Sequence, residues 1–344
     1  MAYTVIRKIP SHDEIIAEFP LSATALNKIS QDRQEIKDIL NGKDNRLIIV
    51  VGPCSAWPAE AVLKYAEQLL QLNELVKHKL KVVMRVYIQK PRTVKGWVGP
   101  VNQPNPLLPP DISVGIKYAR KLMVQVVEMG MPIADEALFT HNSKGFMELL
   151  SWVAIGARSS EDQEHRIFAS AIDCAVGIKN PTNGSIKIGV NGVIAAQHSH
   201  TSVFDGYEIK TDGNNYAHLV LRGGDGIPNY SLEHLLEAKK HFIENKIQNP
   251  GLIIDVSHDN CIFNGKKDYR RQPAIILEVL ENIKNNQALN GLIKGFMIES
   301  FIKPGNQNVD AVESIDVGGL SITDPCLGFD ETKTLLLDIV KMLH

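Results

Sequence analysis

Three side chains with metal-binding chemistry stand just past short apolar runs: Cys54 in Gly52-Pro53-Cys54-Ser55, His258 in Asp255-Val256-Ser257-His258, and Glu299 in Glu299-Ser300. A fourth, Asp324, follows in Ser321-Ile322-Thr323-Asp324-Pro325-Cys326. A thiol, an imidazole and two carboxylates form a donor set of mixed softness, which suits one divalent ion of Mn, Fe, Co or Zn better than Mg or Ca. Each residue alone has a plainer reading, since a cysteine after a buried strand usually packs and a histidine there is usually satisfied by neighbours. Their shared placement is what points to a metal.

A second set is cationic: Arg85, Lys90, Arg92, Arg158, Lys179 and Arg222. Long cations near strand ends are costly to desolvate unless anions bind there, so the set predicts a substrate rich in phosphate and carboxylate. The planar guanidinium fork suits such anions. The glycines in Arg222-Gly223-Gly224 are expected to let backbone amides approach phosphate oxygens. For any one of these residues, a surface ion pair is the plain alternative.

Something must bring these ends together. Apolar runs recur at Leu47 to Val51, Val82 to Val86, Pro132 to Glu136, Val153 to Ala157, Ala175 to Ile178, His218 to Leu221, Leu252 to Val256 and Gly295 to Ile298. Between them lie stretches with apolar residues at helical spacing: AEAVLKYAEQLLQLNELV, DISVGIKYARKLMVQVVEMG, NSKGFMELLS, EDQEHRIFASAI, SIKIGVNGVIAAQ, SLEHLLEAKKHFIEN and QPAIILEVLENIK. Strand then helix, repeated, predicts an α/β fold, a (β/α)8 TIM barrel over residues 46–344. An open doubly wound sheet fits less well, because no G-x-G-x-x-G follows the first run. Residues 1–45 read as an N-terminal extension with one helix, SATALNKISQDRQEIKDILNG, serving subunit contacts or regulation, or else plugging the barrel bottom. Thr201 to Lys210, followed by Thr211-Asp212-Gly213-Asn214, reads as an inserted β-hairpin with a turn. In a barrel the eight run ends project at the C-terminal rim, so the cations and the metal-type ligands converge on one pocket.

Composition narrows the setting. Of 344 residues, 37 are Lys or Arg and 39 are Asp or Glu, so no overall charge draws the chain to nucleic acid or an anionic membrane. The densest basic run, Lys266-Lys267-Asp268-Tyr269-Arg270-Arg271, reads as a solvated loop or helix start. The charged N-terminus lacks the apolar core of a signal peptide, and no run reaches membrane-spanning length. Four scattered cysteines, Cys54, Cys174, Cys261 and Cys326, suit a reducing cytoplasmic setting rather than a disulfide framework.

With these residues in view, the sequence resembles the type I 3-deoxy-D-arabino-heptulosonate-7-phosphate (DAHP) synthases over nearly its whole length. The strings that carry the likeness are LIIVVGPCS, VVMRVYIQKPRT with GW following, LLSWVAIGARSSEDQEHR, GIKNPTNGSIKIG, HLVLRGG with PNY, IIDVSHDN, IESF with GNQ, and SITDPCLG. The resemblance implies metal ligands at Cys54, His258, Glu299 and Asp324. It implies phosphoenolpyruvate contacts at Arg85, Lys90, Arg158, Lys179 and Arg222, and aldose phosphate contacts at Lys90, Pro91, Arg92 and Thr93. Lys90, Cys54 and His258 are then the residues nearest the chemistry. In the implied reaction, C3 of phosphoenolpyruvate attacks the aldehyde of erythrose 4-phosphate, water adds at C2, and phosphate leaves by C–O cleavage. A homodimer or homotetramer is implied as well.

The chain departs from the family pattern in rim loops. Ala56-Trp57-Pro58 replaces an apolar residue followed by His and Asp. Gly96-Trp97-Val98-Gly99-Pro100 and Asn102-Gln103-Pro104 replace a GWKG and ND-P loop, Lys179-Asn180-Pro181 replaces KNG, and an acid is absent around Tyr216-Ala217. These changes are expected to relax or shift acceptor preference or to alter turnover while sparing phosphoenolpyruvate recognition, with neutral drift compensated by nearby changes as the plain alternative. A paralogue using another aldose phosphate, or a non-catalytic ligand-binding subunit, is the competing expectation.

Overall fold

The computed structural model describes residues 2–92, 96–138, 143–204, 206–309 and 314–343. Eight parallel strands close into a barrel: β1 (Leu47–Gly52), β2 (Leu80–Arg85), β3 (Ile133–Glu136), β4 (Leu150–Ile155), β5 (Ala175–Lys179), β8 (Ala217–Leu221), β9 (Leu252–Asp255) and β12 (Ile293–Glu299). All eight apolar runs lie on these strands, with ends displaced by up to three residues. Near-continuous apolar character arises because both faces are covered, one by the barrel interior and one by helices.

The inner layer holds Ile48, Val50, Val83, Trp152, Ala154, Val220, Ile253 and Met297. Trp152, which pairs with Ala175, fills the barrel because Gly177 two residues further along β5 leaves room for its ring: a Cβ there would lie 2.2 Å from the indole. The helical stretches become α3 (Ala59–Val76), α4 (Ile112–Glu128), α5 (Gln163–Ala171), α6 (Ile186–Gln197), α7 (Leu232–Glu244) and α8 (Gln272–Asn285), and α9 (Phe329–Met342) completes the ring. Side-chain caps start several of them: Asp111, Asp162 and Ser185 accept the amides of Val114, His165 and Ile188.

NSKGFMELLS is not an α-helix over its described residues. It contains one 3₁₀ turn, Met147–Leu149, and β4 begins at Leu150, while Asn142 lies outside the described residues. Gly145 turns the chain at φ +87°. Phe146, Leu149 and Leu150 are buried all the same, so the apolar spacing is met by a turn followed by a strand.

The extension has two helices, α1 (His12–Glu18) and α2 (Ala23–Leu40). Ile36, Ile39 and Leu40 of α2 pack into the inner layer at the N-terminal mouth, so this helix plugs the barrel bottom. Lys81, at the start of β2, anchors it through Asp32 (2.6 Å) and Glu35 (2.9 Å). The hairpin pairs β6 (Thr201–Phe204) with β7 (Tyr207–Lys210), Phe204 opposite Tyr207, so Thr211 to Asn214 lie beyond it and are not its turn. Among the described residues, no helix is long and apolar enough to cross a membrane.

Candidate active site

The strand ends place the expected groups on one rim. Arg85 and Glu299 are the last residues of β2 and β12, and Lys179 is the last of β5. Cys54, Arg158, Arg222 and His258 follow β1, β4, β8 and β9 by one to three residues. Ligand atoms of Cys54, Glu299 and Asp324 lie within 4.8 Å of one another. His258 is not in that cluster: its Nδ1 faces Asp255 Oδ2 at 2.9 Å and the Ser257 hydroxyl at 2.8 Å.

Electrostatics keep both carboxylates of the cluster ionised. Burial pushes the Glu299 pKa up, but His258 and Arg85 outweigh it and the group titrates below its ordinary value. Burial likewise opposes charge on Asp324, and Lys267, at 2.6 Å, reverses the balance and lowers its pKa. The Cys54 thiol is pushed up, first by burial and then by Glu299. Three converging donors, two of them anionic, form a set that fits a divalent ion, whose charge would offset what now opposes the Cys54 thiolate. With Nδ1 fixed by Asp255, His258 retains Nε2 for such an ion, a common arrangement around metal-bound imidazoles.

The cations divide into two kinds. Arg85 is wholly buried, gives Nη2 to Glu299 Oε1 at 3.0 Å, and leaves Nη1 with no hydrogen-bond partner among the described residues. A buried guanidinium nitrogen without an acceptor is costly unless a ligand supplies one. Lys179 and Arg222 already face acids: Lys179 reaches Asp255 at 2.9 Å and Arg222 reaches Asp259 at 3.4 Å. Lys90 donates to the Cys54 carbonyl at 2.8 Å; burial lowers its pKa, but Cys54 and Glu299 outweigh it and the ammonium is favoured. Arg158 and Arg92 are exposed and Pro91 is half-buried, whereas Thr93 lies outside the described residues.

The expectation for Arg222-Gly223-Gly224 is corrected. All three amides are used inside the protein: Arg222 donates to Asn180 Oδ1 (2.8 Å), Gly223 to Asn229 Oδ1 (2.7 Å) and Gly224 to the Ile227 carbonyl (3.0 Å). Gly224 is needed for close approach instead, since a Cβ there would lie 1.9 Å from the Gly184 nitrogen. The basic run is largely solvated and leads through a 3₁₀ turn, Tyr269–Arg271, into α8, as read, but one of its lysines has a further role. Lys267 belongs to a small hairpin, β10 (Ile262–Phe263) with β11 (Lys266–Lys267), and its ammonium joins the site through Asp324.

Sequence reasoning missed Tyr87, whose buried ring lies 4.1 Å from the Arg85 guanidinium carbon and 5.6 Å from Lys90 Nζ. It also passed over Asp255, buried between Lys179 and His258. The only available signal was an acid inside an apolar strand, Leu252 to Asp255, where an unpaired charge is rarely tolerated. The departing loops form one structure: Trp57 and Trp97 pack with Ile322 of the Asp324 loop, and their indole N–H groups donate to the carbonyls of Pro104 (3.0 Å) and Gln103 (2.8 Å).

Fold and site together define a (β/α)8-barrel enzyme that gathers cations around a thiol–carboxylate cluster at its C-terminal rim. The chain belongs to the DAHP synthetase I family, which it matches over residues 19–337. The family's reaction joins phosphoenolpyruvate to erythrose 4-phosphate, the first step of the shikimate pathway of aromatic biosynthesis. The chain is similar to the Tyr-sensitive phospho-2-dehydro-3-deoxyheptonate aldolase of Salmonella typhimurium, with 40% identity over 336 residues, covering 96% of this chain and 92% of the relative. The phospho-2-dehydro-3-deoxyheptonate aldolase of Corynebacterium glutamicum is 38% identical over 345 residues, covering 96% and 91%. The solved phospho-2-dehydro-3-deoxyheptonate aldolase of Francisella tularensis superposes with a TM-score of 0.92 at 33% identity, covering 99% of this chain and 98% of that one.

Proposed function

We propose that this chain condenses phosphoenolpyruvate with erythrose 4-phosphate to DAHP and phosphate, with one divalent ion held by Cys54, His258, Glu299 and Asp324. The observation that carries this reading is the convergence of Cys54, Glu299 and Asp324 beside a buried Arg85 whose Nη1 has no partner among the described residues. A bound Mn, Fe, Co or Zn ion would polarise the aldehyde carbonyl as a Lewis acid.

The chain's own groups do the rest. Arg85, Lys90, Arg158, Lys179 and Arg222 bind the phosphate and carboxylate of phosphoenolpyruvate; Lys90, Pro91, Arg92 and Thr93 bind the aldose phosphate. Cations between two anionic substrates offset their repulsion and set C3 of one against the aldehyde carbon of the other. Lys90, kept protonated by its anionic surroundings, can donate to the aldehyde oxygen as negative charge develops there. Water then adds at C2 and the C–O bond to phosphate breaks.

The reading also makes the protein a cytoplasmic homodimer or homotetramer. Its four cysteines are unpaired thiols, and Tyr3, Val5, Ile6, Val203 and Tyr207 expose apolar surface on the extension and hairpin that a second copy would cover. The test is phosphoenolpyruvate loss and phosphate release with erythrose 4-phosphate, in metal-free protein and after adding Mn. Turnover only with metal supports the proposal. Full turnover without metal removes the ion, and ligand binding without turnover makes the chain a binding subunit.

A further inference from the structure

The strand carrying Glu299 at its rim end has an irregularity at its other end. Ile293 pairs with Leu252 and Gly295 with Ile253, which makes Lys294 the extra residue of a β-bulge. Bulges re-aim side chains. The stem of Lys294 lies over Gly251, where a Cβ would approach its Cγ to 2.8 Å, and beside Leu40 of α2. The residue is only 8% exposed, yet no acid or carbonyl pairs with it among the described residues. Burial alone lowers its pKa, and its charge reaches His218 on the barrel floor.

Lys294 lines a pocket of about 650 Å³ at the N-terminal mouth, opposite the rim. The cavity lies between the link from α2 to β1, the ends of α8 and α9, and the start of β12. Arg46, Lys284 and Lys341 also face it, while the one acid in its lining, Asp44, is held by Arg46 at 2.6 Å. Leu280, Ile283, Leu289 and Met342 supply apolar wall. An ammonium on a buried stem, opening into a pocket with apolar wall and no acid paired to it, calls for an anionic head on an apolar body. With its single acid already engaged, the pocket offers no free carboxylate to pair with an amino group.

We propose that this bottom pocket binds a small carboxylic acid with an apolar body and no amino group, its carboxylate paired to Lys294. The site is separate from the rim, so Lys294→Met leaves synthase turnover unchanged.

The test is calorimetric titration of the full chain with octanoate, octan-1-ol and 2-aminooctanoate. Octanoate should bind, and the alcohol and the amino acid much more weakly. Lys294→Met should weaken octanoate by about ten- to a hundredfold, as expected for loss of a charge-assisted contact, and Lys294→Arg should keep most of it. Ile283→Trp, which fills the pocket without touching the charge, should block binding independently. Absence of octanoate binding, equal binding of the alcohol or the amino acid, or binding undiminished in both Lys294→Met and Ile283→Trp would overturn the proposal.

Discussion

Arg85 and Glu299 meet across the barrel mouth at 3.0 Å, with side chains 0% and 1% exposed, joining the ends of β2 and β12 through one buried ion pair. The pair links the two halves of the site, because Glu299 belongs to the metal-type cluster and the second Arg85 nitrogen is left for substrate. Breaking a buried pair by removing one partner typically costs about 3–5 kcal/mol. Glu299→Gln should therefore lower stability in denaturant titration and also lower metal content measured by atomic emission. Normal metal content in a destabilised variant would confine Glu299 to a structural role.

Chelation should abolish turnover, and readdition of Mn should restore it. His258→Ala should lose metal, whereas Asp255→Asn should retain the ring but bind metal about 10- to 100-fold more weakly, through loss of the partner that orients it. Equilibrium dialysis against Mn separates the two variants.

Arg222→Ala should weaken use of phosphoenolpyruvate by about ten- to a hundredfold, the value of a charge-assisted contact. It also leaves Asp259 without its cation, so Arg222→Lys is the companion variant and should recover part of the loss. Steady-state kinetics with phosphoenolpyruvate varied and aldose phosphate saturating reads the effect; unchanged constants would remove Arg222 from the site.

The joined packing of Trp57, Trp97 and Ile322 changes what the rim-loop replacement should do. Putting Ile-His-Asp in place of Ala56-Trp57-Pro58 removes a buried indole and its bond to Pro104, so alone it should destabilise the Asp324 loop and lower kcat. Acceptor preference should follow the whole unit. A comparison of kcat/KM for erythrose 4-phosphate, ribose 5-phosphate and arabinose 5-phosphate, with and without the replacement, checks this. Strong preference for erythrose 4-phosphate that the replacement leaves intact would make the loop differences neutral.

Acid should destabilise the barrel through His218. Its Nε2 accepts from Trp152 at 3.1 Å and its Nδ1 donates to the Tyr216 carbonyl at 2.9 Å, so the neutral ring is fully satisfied. Burial depresses its pKa from 6.5 to about 4. A base depressed by folding leaves stability intact above its unfolded pKa and withdraws it as protons bind preferentially to the unfolded chain. The loss should run from about pH 6.5 down toward 4, at up to about 1.4 kcal/mol per pH unit. His218→Gln, able to make both hydrogen bonds uncharged, should flatten that slope in urea titrations.

Much of this molecule was legible in its sequence. Apolar runs at regular intervals set the strands, because a strand buried on both faces has few alternatives, and apolar residues at helical spacing marked most of the helices between them. The residues past each run, from Cys54 to Glu299, could be placed on one rim because parallel strands all point the same way. Tertiary structure alone decided which rim groups meet. Lys267 joins Asp324 across 57 positions, and Trp57 joins Trp97 and Ile322. It also turned the amides of Arg222-Gly223-Gly224 inward and made NSKGFMELLS a turn before a strand. Periodicity records which face of an element is buried; distances between side chains on different loops depend on how the closed barrel positions those loops, which no local pattern encodes.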